Sequence, residues 1–296
     1  MWLNLLLPCM SLHVETFGNG APLLLLHGWG MHGGMWGDAV QKLAQHFTVH
    51  CLDLPGHGAS GNIAPYPTRG QCPTRGQCNL DALVLSLSEY ARQHFSGQML
   101  TVCGWSLGGQ IALRWAEHMP QQVQRLILVA STPCFVQRAD WLCAMPCATF
   151  QAFEQDLQTN PARTLKRFVS LQVHGSEQER ECLTQLRSSL LNRKQPRHSA
   201  LRDGLAILRE TDLRASLPHI TQPVLVIAGE CDELTPALAS EYLAQHLPNA
   251  KMVTIKGAAH VPFLSHTDAF LMRLKNFMAN ENEVSERAYR TSKLDQ

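Results

Sequence analysis

The sequence has no run approaching the roughly 18 consecutive apolar residues that a membrane-spanning helix requires. An excess of charge of one sign is missing too. Lys and Arg number 25 against 24 Asp and Glu, a net charge of +1, so no global pull toward nucleic acid is expected. The ten cysteines form no CxxC pair, and none has the Cys/His spacing of a zinc site, so neither metal nor cofactor is expected. The opening MWLNLLLPC lacks the basic start, the long apolar stretch and the small-residue cleavage site of an export signal. Residues 1–11 therefore read as an N-terminal extension, with Met10 as an alternative start, and the protein reads as cytoplasmic and monomeric.

What remains is the composition of a globular enzyme, 45% hydrophobic and 17% charged. Short, continuous apolar runs recur, each stopped by glycine, proline or a polar turn: Pro22 to His27, Phe47 to Asp53, Gln98 to Cys103 and Val123 to Ala130. Such runs suit strands buried on both faces of a parallel sheet. Between the last two lies GGQIALRWAEHMP, with Ile111, Ala112, Trp115, Ala116 and Met119 on one helical face and Pro120 closing it. The pattern resumes at Pro223 to Gly229 and Lys251 to Lys256, and an amphipathic helix follows over Asp268 to Met278. Alternation of this kind predicts an α/β fold with a mostly parallel sheet flanked by helices. Residues 134–217 read instead as helices, a lid inserted between core segments 12–133 and 218–279. The polar tail 280–296 is expected to be disordered. A duplicated PTRGQC, Pro67 to Cys72 and Pro73 to Cys78, reads as a surface-loop insertion without chemistry.

Gly104-Trp105-Ser106-Leu107-Gly108 matches G-x-S-x-G, with a strand running in and a helix running out. Serine on such a turn needs a base within reach and an acid to orient that base. The order in this fold is Ser, Asp, His. Asp232, after the strand PVLVIAG, and His260, after KMVTIK, fit both order and position. Each has a bland rival: Asp232 as a turn former, and Asp203 or Asp212 as the acid, although both of these lie in the lid. His27, Asp53 and His57 read as loop-structuring. Oxyanion donors are expected from Leu107 N–H and from Trp29 N–H in His27-Gly28-Trp29-Gly30, the alternative for Trp29 being plain core packing.

With these residues placed, the chain resembles the pimeloyl-acyl-carrier-protein methyl ester carboxylesterases of biotin synthesis, members of the α/β-hydrolase superfamily. The resemblance spans Leu12 to Asn276 and rests on HGWG, DLPGHG, GWSLGG, RFVSLQ, GLAILRETDLR and GAAHVPFLSH. It implies hydrolysis of the methyl ester of pimeloyl-acyl-carrier protein, with Ser106, Asp232 and His260 as the triad. It implies substrate and oxyanion contacts at Trp29 and Leu107, an acyl-lining segment of Phe168, Val169, Ser170, Leu171 and Gln172, and carrier contacts at Arg163, Arg167 and Arg180. One family arginine is replaced by Thr184, with Arg187 nearly one helical turn later.

Charge gives an independent argument for an acidic partner. Between Pro161 and Arg202 stand nine Lys or Arg and three Glu, a net +6 in a chain whose total is only +1. Arg163 and Arg167, four apart, share a helical face that would steer an acidic carrier protein. The bland alternative is a solvated helix surface. The competing functions are a general carboxylesterase on short free esters and a non-enzymatic ligand receptor on a hydrolase fold.

Overall fold

The computed structural model describes residues 11–61 and 79–279. Most of the expected N-terminal extension, the PTRGQC duplication and the tail lie outside the described residues. The chain forms β1 (Val14–Phe17), β2 (Ala21–Leu26), α1 (Asp38–Leu43), β3 (Phe47–Leu52), α2 (Leu80–His94), β4 (Leu100–Trp105), α3 (Leu107–His118) and β5 (Val123–Val129). Four helices follow: α4 (Cys147–Thr159), α5 (Pro161–Leu171), α6 (Glu179–Leu191) and α7 (His198–Glu210). The chain then returns through β6 (Val224–Gly229), α8 (Ala237–His246), β7 (Ala250–Ile255) and α9 (Pro262–Ser265). A last helix covers 267–279.

The seven-stranded sheet has the order β1-β3-β2-β4-β5-β6-β7. Every pairing is parallel except that of β1 with β3. Leu23 to Leu26 of β2 and the whole of β4 and β6 are buried, as strands covered on both faces must be. β2 has β3 on one side and β4 on the other, so the chain reverses its direction of travel across the sheet between them. A crevice at such a switch point, beyond the carboxyl ends of the strands, is where open α/β sheets hold ligands.

Two elements depart from the sequence reading. The third strand begins at Leu100 rather than Gln98, because Ser96 and Gly97 both take positive φ in the turn before it. It runs on to Trp105, which pairs with Val129, so Gly104 lies within the sheet. β1 was not anticipated: VETF is short and partly polar, and it is an edge strand held by a single neighbour.

Gly104 permits a close contact between β4 and α3, since a Cβ there would stand 2.3 Å from the Gly108 carbonyl oxygen of α3. Backbone rather than a flexible side chain occupies that space. Gly104→Ala is expected to destabilise the fold by about 3 kcal/mol, the upper end of overpacking costs. Chemical denaturation checks this, and an unchanged midpoint would contradict it.

Candidate active site

Ser106 is the residue between β4 and α3, with φ 56° and ψ −117°. Left-handed backbone in a residue with a Cβ costs about 1–3 kcal/mol and persists only when its surroundings enforce it. Here they do. Ser106 N–H donates to Val129 O at 3.0 Å, and its carbonyl accepts from Gly109 N at 2.9 Å and Ser131 Oγ at 3.0 Å. Leu107 opens α3, so its N–H has no acceptor within the helix.

Asp232 and His260 follow the neighbouring strands β6 and β7 and are both buried. His260 Nδ1 lies 2.8 Å from Asp232 Oδ2. A carboxylate only accepts, so Nδ1 carries a proton, and in the neutral ring Nε2 is then the bare nitrogen. The other bonds to Asp232 come from Leu234 N (2.9 Å), Thr235 N (3.0 Å) and Thr235 Oγ1 (2.7 Å). His260 is held by its backbone as well: its N–H donates to Gln172 O at 3.0 Å, and its carbonyl accepts from Trp105 Nε1 at 2.9 Å. Nε2 is buried and has no hydrogen-bond partner among the described residues, Ser106 Oγ included. Such contacts are often long before substrate arrives.

The loop after β2 lies directly on the serine, since a Cβ on Gly28 would stand 3.2 Å from Ser106 Cβ. Trp29 is buried. Its indole donates to Leu201 O at 2.8 Å and meets Phe168 and Phe153 edge-on at 4.9 and 5.5 Å. Gly204 of α7 allows this packing, because a Cβ there would fall 2.7 Å from Trp29 Cδ1. The indole is thus a clamp between the loop after β2 and α7, while the peptide behind it borders Ser106.

In the expected acyl-lining segment, Phe168, Val169 and Gln172 are buried and Ser170 and Leu171 partly so. Both side-chain amide atoms of Gln172 lack a partner among the described residues. Arg163, Arg167 and Arg180 are exposed. Arg167 pairs with Asp156 of α4 at 3.1 Å, and Arg187 donates to Ser170 Oγ at 3.2 Å. The rival acid Asp212 is paired with Arg214 at 2.7 Å and Arg138 at 3.3 Å. Cysteine offers no competing nucleophile in the core, where burial pushes the Cys51 thiol up to about 12 and raises that of Cys103 as well. Thr235 escaped the sequence reading, although its place three residues after Asp232 suits a side chain that returns to that carboxylate. Gln172, anchoring His260 through a main-chain carbonyl, left no sequence signal.

Asp53 accepts from Gly33 N (2.7 Å) and Ala59 N (2.9 Å) and meets Arg193, just after α6, at 3.5 Å. His32 and His57 lie near it and His27 packs on His57 at 5.2 Å, and burial lowers the pKa of each, that of His57 to about 4.

The family of the α/β hydrolase fold matches residues 21–267, and the chain belongs to it. Among curated relatives, a pimeloyl-acyl-carrier-protein methyl ester esterase of Nitrosomonas europaea is 45% identical, covering 88% of this chain and 97% of its own. One of the same name from Nitrosospira multiformis is 39% identical, over 90% and 98%. Within the α/β hydrolases the chain is a member of the family to which these esterases belong. An esterase from Exiguobacterium antarcticum has the same fold, with a TM-score of 0.79 at 22% identity over 90% of this chain and 95% of that one.

The buried histidines give a pH dependence. Folding favours the neutral rings, so as pH falls the unfolded chain takes up protons first. Stability is therefore intact above about pH 6.5 and declines toward the lowered folded-state values. His57 alone is expected to remove about 2 kcal/mol between pH 7 and pH 5. Urea unfolding at the two pH values checks this, with His57→Asn reducing the difference; an unchanged difference would contradict the assignment.

Proposed function

We propose that the protein is a serine carboxylesterase that hydrolyses the methyl ester of pimeloyl-acyl-carrier protein to pimeloyl-acyl-carrier protein and methanol. The observation that carries the chemistry is the buried Asp232–His260 pair, with a bare Nε2 at the sheet edge where Ser106 emerges. The substrate assignment is supported by the names of the relatives and by the basic lid.

In the mechanism, His260 Nε2 takes the Ser106 hydroxyl proton as Oγ attacks the ester carbonyl. Leu107 N–H and Trp29 N–H hold the oxyanion. The tetrahedral intermediate collapses by breaking the bond to the methoxy oxygen, which receives the proton from His260 and leaves as methanol. Water then gives its proton to Nε2 and attacks the acyl-enzyme, and Ser106 leaves with that proton. Asp232 holds the ring in one tautomer and stabilises the imidazolium. No cofactor enters any step. Residues 168–172 would line the acyl chain, and Arg163, Arg167 and Arg180 would face the acidic carrier. The enzyme would act as a cytoplasmic monomer, and helices α4–α7 would form the lid.

One observation favours the second reading, a general esterase on short free esters. Arg167 is already paired with Asp156, and the family resemblance puts Thr184 in the place of a carrier-contacting arginine, so the basic face is weaker than its charge count suggests. Exposed pairs of this kind are worth about 0.2–1 kcal/mol, little enough for a carrier carboxylate to displace.

Turnover of the carrier-linked ester and of free dimethyl pimelate, followed by mass spectrometry, separates the two readings. The double variant Arg163→Glu with Arg167→Glu is expected to lower kcat/KM for the carrier-linked ester by about tenfold or more, as loss of steering charge does, and to spare the free ester. Equal effects on both substrates would remove the carrier from the account and leave the esterase.

A further inference from the structure

The bonds around His27 admit a single tautomer. Nδ1 lies 2.8 Å from the Gly28 carbonyl, which can only accept, so Nδ1 carries the proton. Leu54 N–H donates to Nε2 at 2.9 Å, so Nε2 is bare. The ring is fully buried and stays neutral, its pKa held well below the usual histidine range by burial first and by His57 second. It takes no part in the proton transfers above.

The carbonyl that His27 holds belongs to the same peptide unit as Trp29 N–H. That peptide is trans, so its C=O and N–H point to opposite sides of one rigid plane, and fixing the oxygen fixes the direction of the hydrogen. Met31 N–H also donates to this oxygen, at a longer 3.3 Å. The unit borders the nucleophile through Gly28. We infer that His27 is a positioning residue for oxyanion stabilisation: its Nδ1–H locks the Gly28–Trp29 peptide so that Trp29 N–H faces the oxygen of the tetrahedral intermediate on Ser106. The inference rests on Trp29 N–H as an oxyanion donor. Donors fixed before the reaction contribute most, because no reorganisation is needed when charge develops.

Two near-isosteric substitutions separate the two bonds of the ring. His27→Asn places an amide N–H near the position of Nδ1 but cannot reach Leu54. His27→Gln reaches toward Leu54 and leaves the Gly28 carbonyl without this donor. The readouts are kcat and KM with p-nitrophenyl butyrate, and inhibition by butylboronic acid, which becomes tetrahedral on adding to Ser106. His27→Asn is expected to keep kcat within about threefold, whereas His27→Gln loses about 10- to 100-fold in kcat with KM nearly unchanged. Boronate affinity should fall with kcat. If His27→Gln does not fold, His27→Ala takes its place with the same expectation. Equal kcat losses in the donor-keeping and donor-lacking variants, or a loss carried by KM, would overturn the inference. A crystal structure of the wild-type boronate adduct tests the underlying reading separately. A boronate oxygen on Trp29 N–H upholds that reading; an oxygen held elsewhere removes Trp29 as donor, and the role of His27 with it, whatever the variants do.

Discussion

The backbone of Ser106 is the constraint on which the rest of the structure depends. A serine at φ 56° is unfavourable in isolation, yet only this turn carries the chain from the end of β4 straight into α3 with the hydroxyl at the sheet edge. Three kinds of contact hold it there: a bond from its N–H to β5, two bonds to its carbonyl, and an absence of side chains around it. A Cβ at Gly108 would meet Leu26 O at 2.4 Å, and one at Gly109 would meet Ser131 Oγ at 2.2 Å. Glycine at these positions lets α3 pack against the ends of β2 and β5, which brings Leu107 N–H and the loop of Trp29 together.

From that turn outward, each further part is fixed by strand order. β4 adjoins β2, so the loop after β2 meets the serine. β6 adjoins β7, so the loops bearing Asp232 and His260 are neighbours. The helices between β5 and β6 then bind those loops to one another. Leu201 O holds the Trp29 indole, Gln172 O holds His260 N–H, and Glu177 N–H donates to Gly257 O at 3.0 Å. This helical segment therefore helps to fix the loops that bear Trp29 and His260. It shares main-chain bonds with the loops that carry the chemistry, so substitutions in it can change kcat as well as substrate choice.

The sheet was largely legible in the sequence because strands buried on both faces must be continuously apolar and must stop where the chain turns. PLLLLH and PVLVIAG have no other reading of comparable simplicity. β1 was not legible, since a four-residue edge strand needs neither continuity nor strong periodicity. Positions 106, 232 and 260 could be proposed from order along the chain and placement after strands, with Asp203 and Asp212 of the helical segment left as rival acids. Contacts made by backbone or between distant side chains could not. The Gln172 carbonyl on His260, the Leu201 carbonyl on Trp29 and the Arg167–Asp156 pair depend on how helices pack, and helix surfaces of one composition can pack in many ways. Net charge over 161–202 was visible in the sequence, but its partial neutralisation by α4 was not.

The account stands on a covalent intermediate at Ser106, and the most direct measurement is to catch it. Enzyme turning over dimethyl pimelate would be quenched in acid on the millisecond scale, digested, and mapped by mass spectrometry. The account predicts a monomethyl pimeloyl adduct on the peptide containing Ser106, appearing before steady state and absent in Ser106→Ala. Turnover with no acyl adduct, or with the adduct on another residue, would contradict it.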